Sequence, residues 1–187
     1  NGWAKTGIRS AAPLVRVGDG TGARTVRFDF DAANTSAFVL ALAAADGSDE
    51  WPAHDIRFAW GSEGGDEPAH ATLFLRRSVV RRVATGPRAP DSITLRLDPT
   101  GVVAAILPDG TMLEATLPGG PAPEGYHVHA IAHAMAKEQP ARLALRRIET
   151  GETPAAKPAL TAWPDEAMAE LQASLRVEHL AQMLVPF

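Results

Sequence analysis

The chain is 187 residues long, carries a formal net charge of −4, and contains 16 glycines, 15 prolines and no cysteine. That length fits one sizeable domain, or one domain with a short appendage, and a hydrophobic content of 45% excludes a disordered or collagen-like chain. Absent cysteines exclude a disulfide scaffold and thiol catalysis, the mild acidity argues against broad nucleic-acid binding, and no stretch is long and apolar enough to span a bilayer.

In chain order, the first strong signal is period-2 alternation at Thr25–Phe30, which puts Val26, Phe28 and Phe30 on one face and Arg27 and Asp29 on the other. A continuous apolar run follows at Ser36–Ala45, then alternation again at Ile56–Trp60 and Ile93–Leu97. Further apolar runs at Ala71–Leu75, Val102–Leu107, Met112–Leu117, His127–Ala134 and Arg142–Ile148 read as strands buried on both faces or facing a second sheet. Turn formers punctuate these runs at Gly18–Gly20, Asp46–Ser48, Asp98–Gly101, Pro108–Gly110 and Thr150–Gly151. Pro108-Asp109-Gly110 between two apolar runs is a hairpin signal, because glycine supplies the positive φ that a tight turn needs. Short strands separated by turns at this spacing predict an antiparallel sandwich or barrel.

The pattern changes near residue 150. The predicted organisation is a β-sandwich over residues 1–151, a Pro/Ala linker over 152–163, and a C-terminal segment over 164–187. Met168, Leu171, Leu175, Leu180, Met183 and Leu184 fall at helical spacing after Pro164-Asp165-Glu166, so a helix is expected at 165–184, packed on the sandwich or on a partner. The opening Asn1-Gly2-Trp3, with neither Met nor a basic-then-apolar leader, suggests an excised domain or a processed product. Fifteen of the 18 basic residues are arginine, which points to a GC-rich bacterial genome; the cytoplasm and the cell envelope or exterior both remain open as compartments.

Residues 92–151 carry a resemblance. Ile93–Gly101 leads through the Pro108-Asp109-Gly110 hairpin to Gly125-Tyr126-His127-Val128, then to Arg142–Leu145 and Thr150-Gly151. This succession resembles the concanavalin A-like (laminin-G, pentraxin) jelly rolls, with Tyr126 where those domains usually have Trp. The resemblance implies two curved antiparallel sheets that bind glycans on the concave face or at rim loops, with calcium in some members. The paired-carboxylate motif of the hydrolase branch is absent: Glu63-Gly64-Gly65-Asp66-Glu67 has the acids at the wrong spacing.

Candidate ligand-binding residues follow from side-chain chemistry. Trp3, Trp51, Trp60 and Tyr126 offer flat apolar platforms for sugar rings; Trp51 sits in a polar loop with Asp49, whereas Trp60 reads as core. His127, His129 and His133 share a face on a strand, the arrangement with which cupins and several zinc enzymes begin a metal site. However, His129 and His133 would stand roughly 13 Å apart at 3.3 Å per residue, too far for one metal. Asp46 and Asp49 are the corresponding calcium candidates. Arg77 and Arg81, on one face with Val79 if the segment is extended, have the bidentate forks that hold sulfate, carboxylate or phosphate. Arginines at such a place also keep a sheet edge from pairing with another.

No nucleophile elbow, phosphate loop or dinucleotide signature occurs. The sequence therefore reads as an all-β jelly-roll sandwich with a C-terminal helix. Its expected role is a non-catalytic carbohydrate-binding or accessory module of a bacterial protein, with a glycan or acidic polysaccharide as partner and no obligatory cofactor. Two other readings are a metal-dependent cupin-like enzyme using the histidines, and a structural or oligomerisation domain of an envelope protein.

Overall fold

The computed structural model describes residues 6–17, 22–44, 54–62, 68–133 and 141–154. Eleven strands form within them: β1 (Thr6–Arg9), β2 (Gly22–Phe30), β3 (Phe38–Ala44), β4 (Ile56–Gly61), β5 (His70–Leu75), β6 (Ser78–Ala84), β7 (Ser92–Leu97), β8 (Val102–Ile106), β9 (Met112–Thr116), β10 (Tyr126–Ala132) and β11 (Leu145–Pro154). They make a six-stranded sheet ordered β1-β10-β3-β4-β5-β6 and a five-stranded sheet ordered β11-β2-β7-β8-β9, antiparallel throughout. The expected all-β jelly-roll sandwich is therefore the fold. All eleven strands belong to one unit, Asn1–Ala155. A second unit, Ala156–Phe187, contains the segment predicted as a helix and lies outside the described residues.

Period-2 burial explains the core. Val26, Phe28 and Phe30 of β2 and Ile93, Leu95 and Leu97 of β7 turn inward from one sheet; Phe38, Leu40 and Leu42 of β3 meet them from the other. The Phe38 ring lies 4.7 Å from Phe30 and 5.9 Å from Trp60, tying the two sheets together. Each such aromatic contributes about 1.5–3 kcal/mol by burial alone. Trp60 is core, as read, and its Nε1 donates to Thr85 Oγ1 at 3.0 Å. Strands β3 and β4 are buried on both faces apart from Ala44, which accounts for the unbroken apolar run at Ser36–Ala45.

The turns follow their chemistry. Asp98 Oδ1 accepts from Thr100 N, Thr100 Oγ1 and Val102 N, closing the β7–β8 hairpin. In the β8–β9 hairpin Gly110 adopts φ +86°, and Asp109 Oδ1 accepts from Thr111 N at 2.9 Å. Thr150-Gly151, expected at a turn, lies instead inside β11, where Gly151 pairs with Thr25 of β2, and the strand continues to Pro154. β11 is the edge of its sheet, so Pro154 withholds no amide from an inner ladder.

Candidate functional site

Residues opposite one another across a ladder share a face, so the registers define the outer surface of the six-stranded sheet. One row runs Arg9, His129, Ala41, Arg57, Phe74, Val79 from β1 to β6. The adjacent row runs Gly7, Ile131, Val39, Ala59, Thr72, Arg82, and His127 lies opposite Ala43 in a third. Their strand neighbours Phe38, Leu40, Leu42, Phe58, Leu73, Val128 and Ala130 fill the core, so the two sets of side chains separate cleanly.

Polar groups on this face are unusually buried. Arg57 is 5% exposed, His129 7% and His127 8%, and Thr72 and His54 are buried as well. Buried ionisable groups are informative because burial is costly without partners. His127 Nδ1 lies 2.9 Å from Ser10 O, so this nitrogen carries the proton and donates to the carbonyl. The rings of His54 and His129 are 4.5 Å apart. Arg57 donates to Arg76 O at 2.9 Å, and its guanidinium lies 4.7 Å from the Phe74 ring centre in a cation–π contact. Burial pushes the Arg57 pKa down from its ordinary value, yet a guanidinium stays charged at neutral pH. At the β5–β6 side, Arg82 Nη2 donates to His70 Nδ1 at 3.2 Å.

The charge distribution is one-sided. The six strands of this sheet contain Arg9, Arg57, Arg81 and Arg82 but no Asp or Glu. Asp55 stands just before β4, where it accepts from Ala44 N and lies 3.8 Å from Arg76. In the five-stranded sheet, by contrast, arginines meet carboxylates: Arg24 with Glu152, Arg27 with Asp29, Arg96 with Glu114 and Arg147 with Glu149.

The sequence candidates distribute as follows. His127 and His129 do share a face, as alternation requires. Among the described residues no three His, Cys, Asp or Glu converge on a common point where a metal ion would sit. Tyr126 is not a platform: it is 0% exposed, faces the core with Val128, and its hydroxyl accepts from Ala122 N at 2.7 Å. Arg77 and Arg81 are exposed, but they do not share a face with Val79 along one regular strand. Arg77 lies in the β5–β6 turn, and a bulge at Leu73/Phe74 places Arg81 opposite Leu73 and Val79 opposite Phe74, on opposite sides of the sheet. Trp3, Asp46, Asp49 and Trp51 lie outside the described residues. Sequence reasoning missed Arg57 and Phe74 as a pair, because only the β4–β5 register brings them opposite one another.

A cleft of about 430 Å³ at one end of the sandwich is lined by Trp60, Thr85, Arg88, Leu107 and Asp109 among others. Its polar groups serve the fold: Trp60 bonds Thr85, Arg88 pairs with Asp91, and Asp109 holds its own turn.

No protein-family model matches the chain, and no curated protein does. Solved structures do resemble it. Galectin-Va of Xenopus laevis aligns at 13% identity over 80% of this chain and 97% of its own, with a TM-score of 0.49. Galectin-Ib of Xenopus laevis aligns at 10% identity over 78% of this chain and 100% of its own, with a TM-score of 0.48. A toad ovary galectin in complex with thio-digalactose aligns at 10% identity over 78% and 98%, with a TM-score of 0.46. All three of these solved structures are galectins.

Proposed function

We propose that the chain is a non-catalytic carbohydrate-binding or accessory module whose ligand docks on the outer face of β4 and β5. The observation that carries this reading is the Arg57–Phe74 pair, a planar guanidinium fixed by Arg76 O beside a half-buried aromatic ring. A sugar ring presents an apolar C–H patch that packs on an aromatic side chain such as the half-buried Phe74, and the buried Arg57 guanidinium over that ring holds it in position. Thr72, His70 and Arg82 lie in the neighbouring positions and supply further hydrogen-bonding groups at the rim.

The test is a glycan array followed by calorimetry on the glycans retained. Phe74→Ala and Arg57→Lys are each expected to weaken binding by about tenfold, the loss of one charge-assisted or stacking contact, with an unaltered circular dichroism spectrum. A chain that retains no glycan, or folded variants that bind as tightly as the parent, would overturn the reading.

A further inference from the structure

Resting on that reading, we infer that the preferred ligand is an anionic polysaccharide, one bearing sulfate or carboxylate groups, held along the β5–β6 edge by Arg77 and Arg81. From Pro68 to Pro90 the chain has five arginines and no carboxylate, although the whole chain is net negative at −4. Arg76 and Arg88 within this stretch are partly neutralised by Asp55 and Asp91. Arg77 and Arg81 are exposed and have no ion-pair partner among the described residues; the bond from Arg81 to Val80 O leaves its charge uncompensated. This differs from the five-stranded sheet, whose arginines meet carboxylates at 2.7 to 3.2 Å in Arg24–Glu152, Arg27–Asp29 and Arg96–Glu114.

The two uncompensated guanidinium forks lie four positions apart in the chain, Arg77 in the β5–β6 turn and Arg81 in the edge strand β6. Each fork takes one oxyanion bidentately. A repeating polymer presents such groups at intervals, whereas a lone anion engages a single fork. β6 is the edge strand beside β5, with Arg81 on the side of Leu73 and Val79 on the side of Phe74, so a polymer docked at Phe74 reaches Arg81 by passing around that edge. Nucleic acid needs a broader basic surface than a net-acidic chain offers.

The experiment compares dextran with dextran sulfate, which share one backbone and differ in charge, together with polygalacturonate and a DNA duplex of similar length. Binding of the full chain is measured at low and high salt. Dextran sulfate or polygalacturonate is expected to bind at least tenfold tighter than dextran at low salt and to lose that advantage at high salt. The double variant Arg77→Gln/Arg81→Gln is expected to reduce the anionic binding by about tenfold or more, while Arg146→Gln/Arg147→Gln, with the same change in net charge, leaves it unchanged. Both variants are checked for parental melting temperature.

If neutral glycans bind and charged ones bind no better, the inference falls while the carbohydrate reading stands. If no glycan of any kind is retained, here or on the array, both fall. Equal losses in the two double variants would reduce the effect to overall charge, and DNA bound as tightly as the sulfated polymer would remove the polysaccharide; either result overturns the inference.

Discussion

Tyr126 and His127 are adjacent in sequence and face opposite ways, one into the sandwich and one onto its outer surface. The parity was legible in the sequence, since Tyr126, Val128 and Ala130 alternate with His127 and His129. Reading Tyr126 as a sugar platform gave weight to the residue type over its position in that alternation. Replacing Tyr126 by Phe removes the oxygen that accepts from Ala122 N, and is expected to lower unfolding free energy by about 1–2 kcal/mol with glycan binding unchanged. Denaturant melts and calorimetry check both halves; weakened binding at full stability would return Tyr126 to the ligand. Gly125, one residue earlier, has φ +85° and would place a Cβ 2.6 Å from Val15 O. Gly125→Ala is therefore expected to cost about 2–3 kcal/mol in the same melts, and a neutral result would contradict the close approach.

At the scale of elements, alternation made β2, β4 and β7 readable, and β3, β8 and β10 were readable as apolar runs. β6 was harder, because as an edge strand it keeps little inside: its pattern is mostly exposed, with only Val80 and Val83 packing on the core. Register was beyond the sequence altogether, since it depends on which strands become neighbours. That is why the facing of Arg81 and the meeting of Arg57 with Phe74 emerged only from the fold. Turns carry their own pH dependence. The hydrogen bond from Thr111 N to Asp109 holds this carboxylate's pKa below its ordinary value of 3.8. Asp31, bonded to the Asn34 side chain, is lowered likewise. A depressed pKa means that the folded state binds protons less readily than the unfolded one. Its stabilisation is present above the ordinary carboxylate pKa and is lost as pH falls through the depressed value. Asp109→Asn keeps an acceptor for Thr111 N without titrating, so its urea midpoint is expected to fall less steeply than the parent's below about pH 4. Parallel acid limbs for the two proteins would sink this account.

Across the whole molecule, β11 pairs with β2 and β10 lies between β1 and β3, so both sheets join segments far apart in the chain. Loop-closure entropy must be met before such pairings bring any stabilisation. Refolding of the sandwich, followed by tryptophan fluorescence in a stopped-flow instrument, is expected on a millisecond-to-second timescale; a phase completed in microseconds would contradict it. Composition hinted at an unremarkable acidic domain, because net charge is a sum and cannot show how the acids divide between the sheets. Arginines stand on both sheets, but the strand carboxylates stand on the five-stranded one alone, leaving the six-stranded sheet without a carboxylate on its strands.

The place of β10 has a consequence for a nascent chain. β3 is apolar on both faces and can pair with β4 as soon as the two have left the ribosome. Its other edge stays bare until Tyr126–Ala132 is made, and Tyr126 lies 82 positions beyond Ala44. At 5–20 residues per second that wait is roughly 4–16 s, during which one of the most hydrophobic strands in the protein offers open amides to any passing partner. Synthesis thus exposes an aggregation-prone edge that the finished sandwich conceals, and a holdase able to cover β3 during that interval would raise the yield of folded protein.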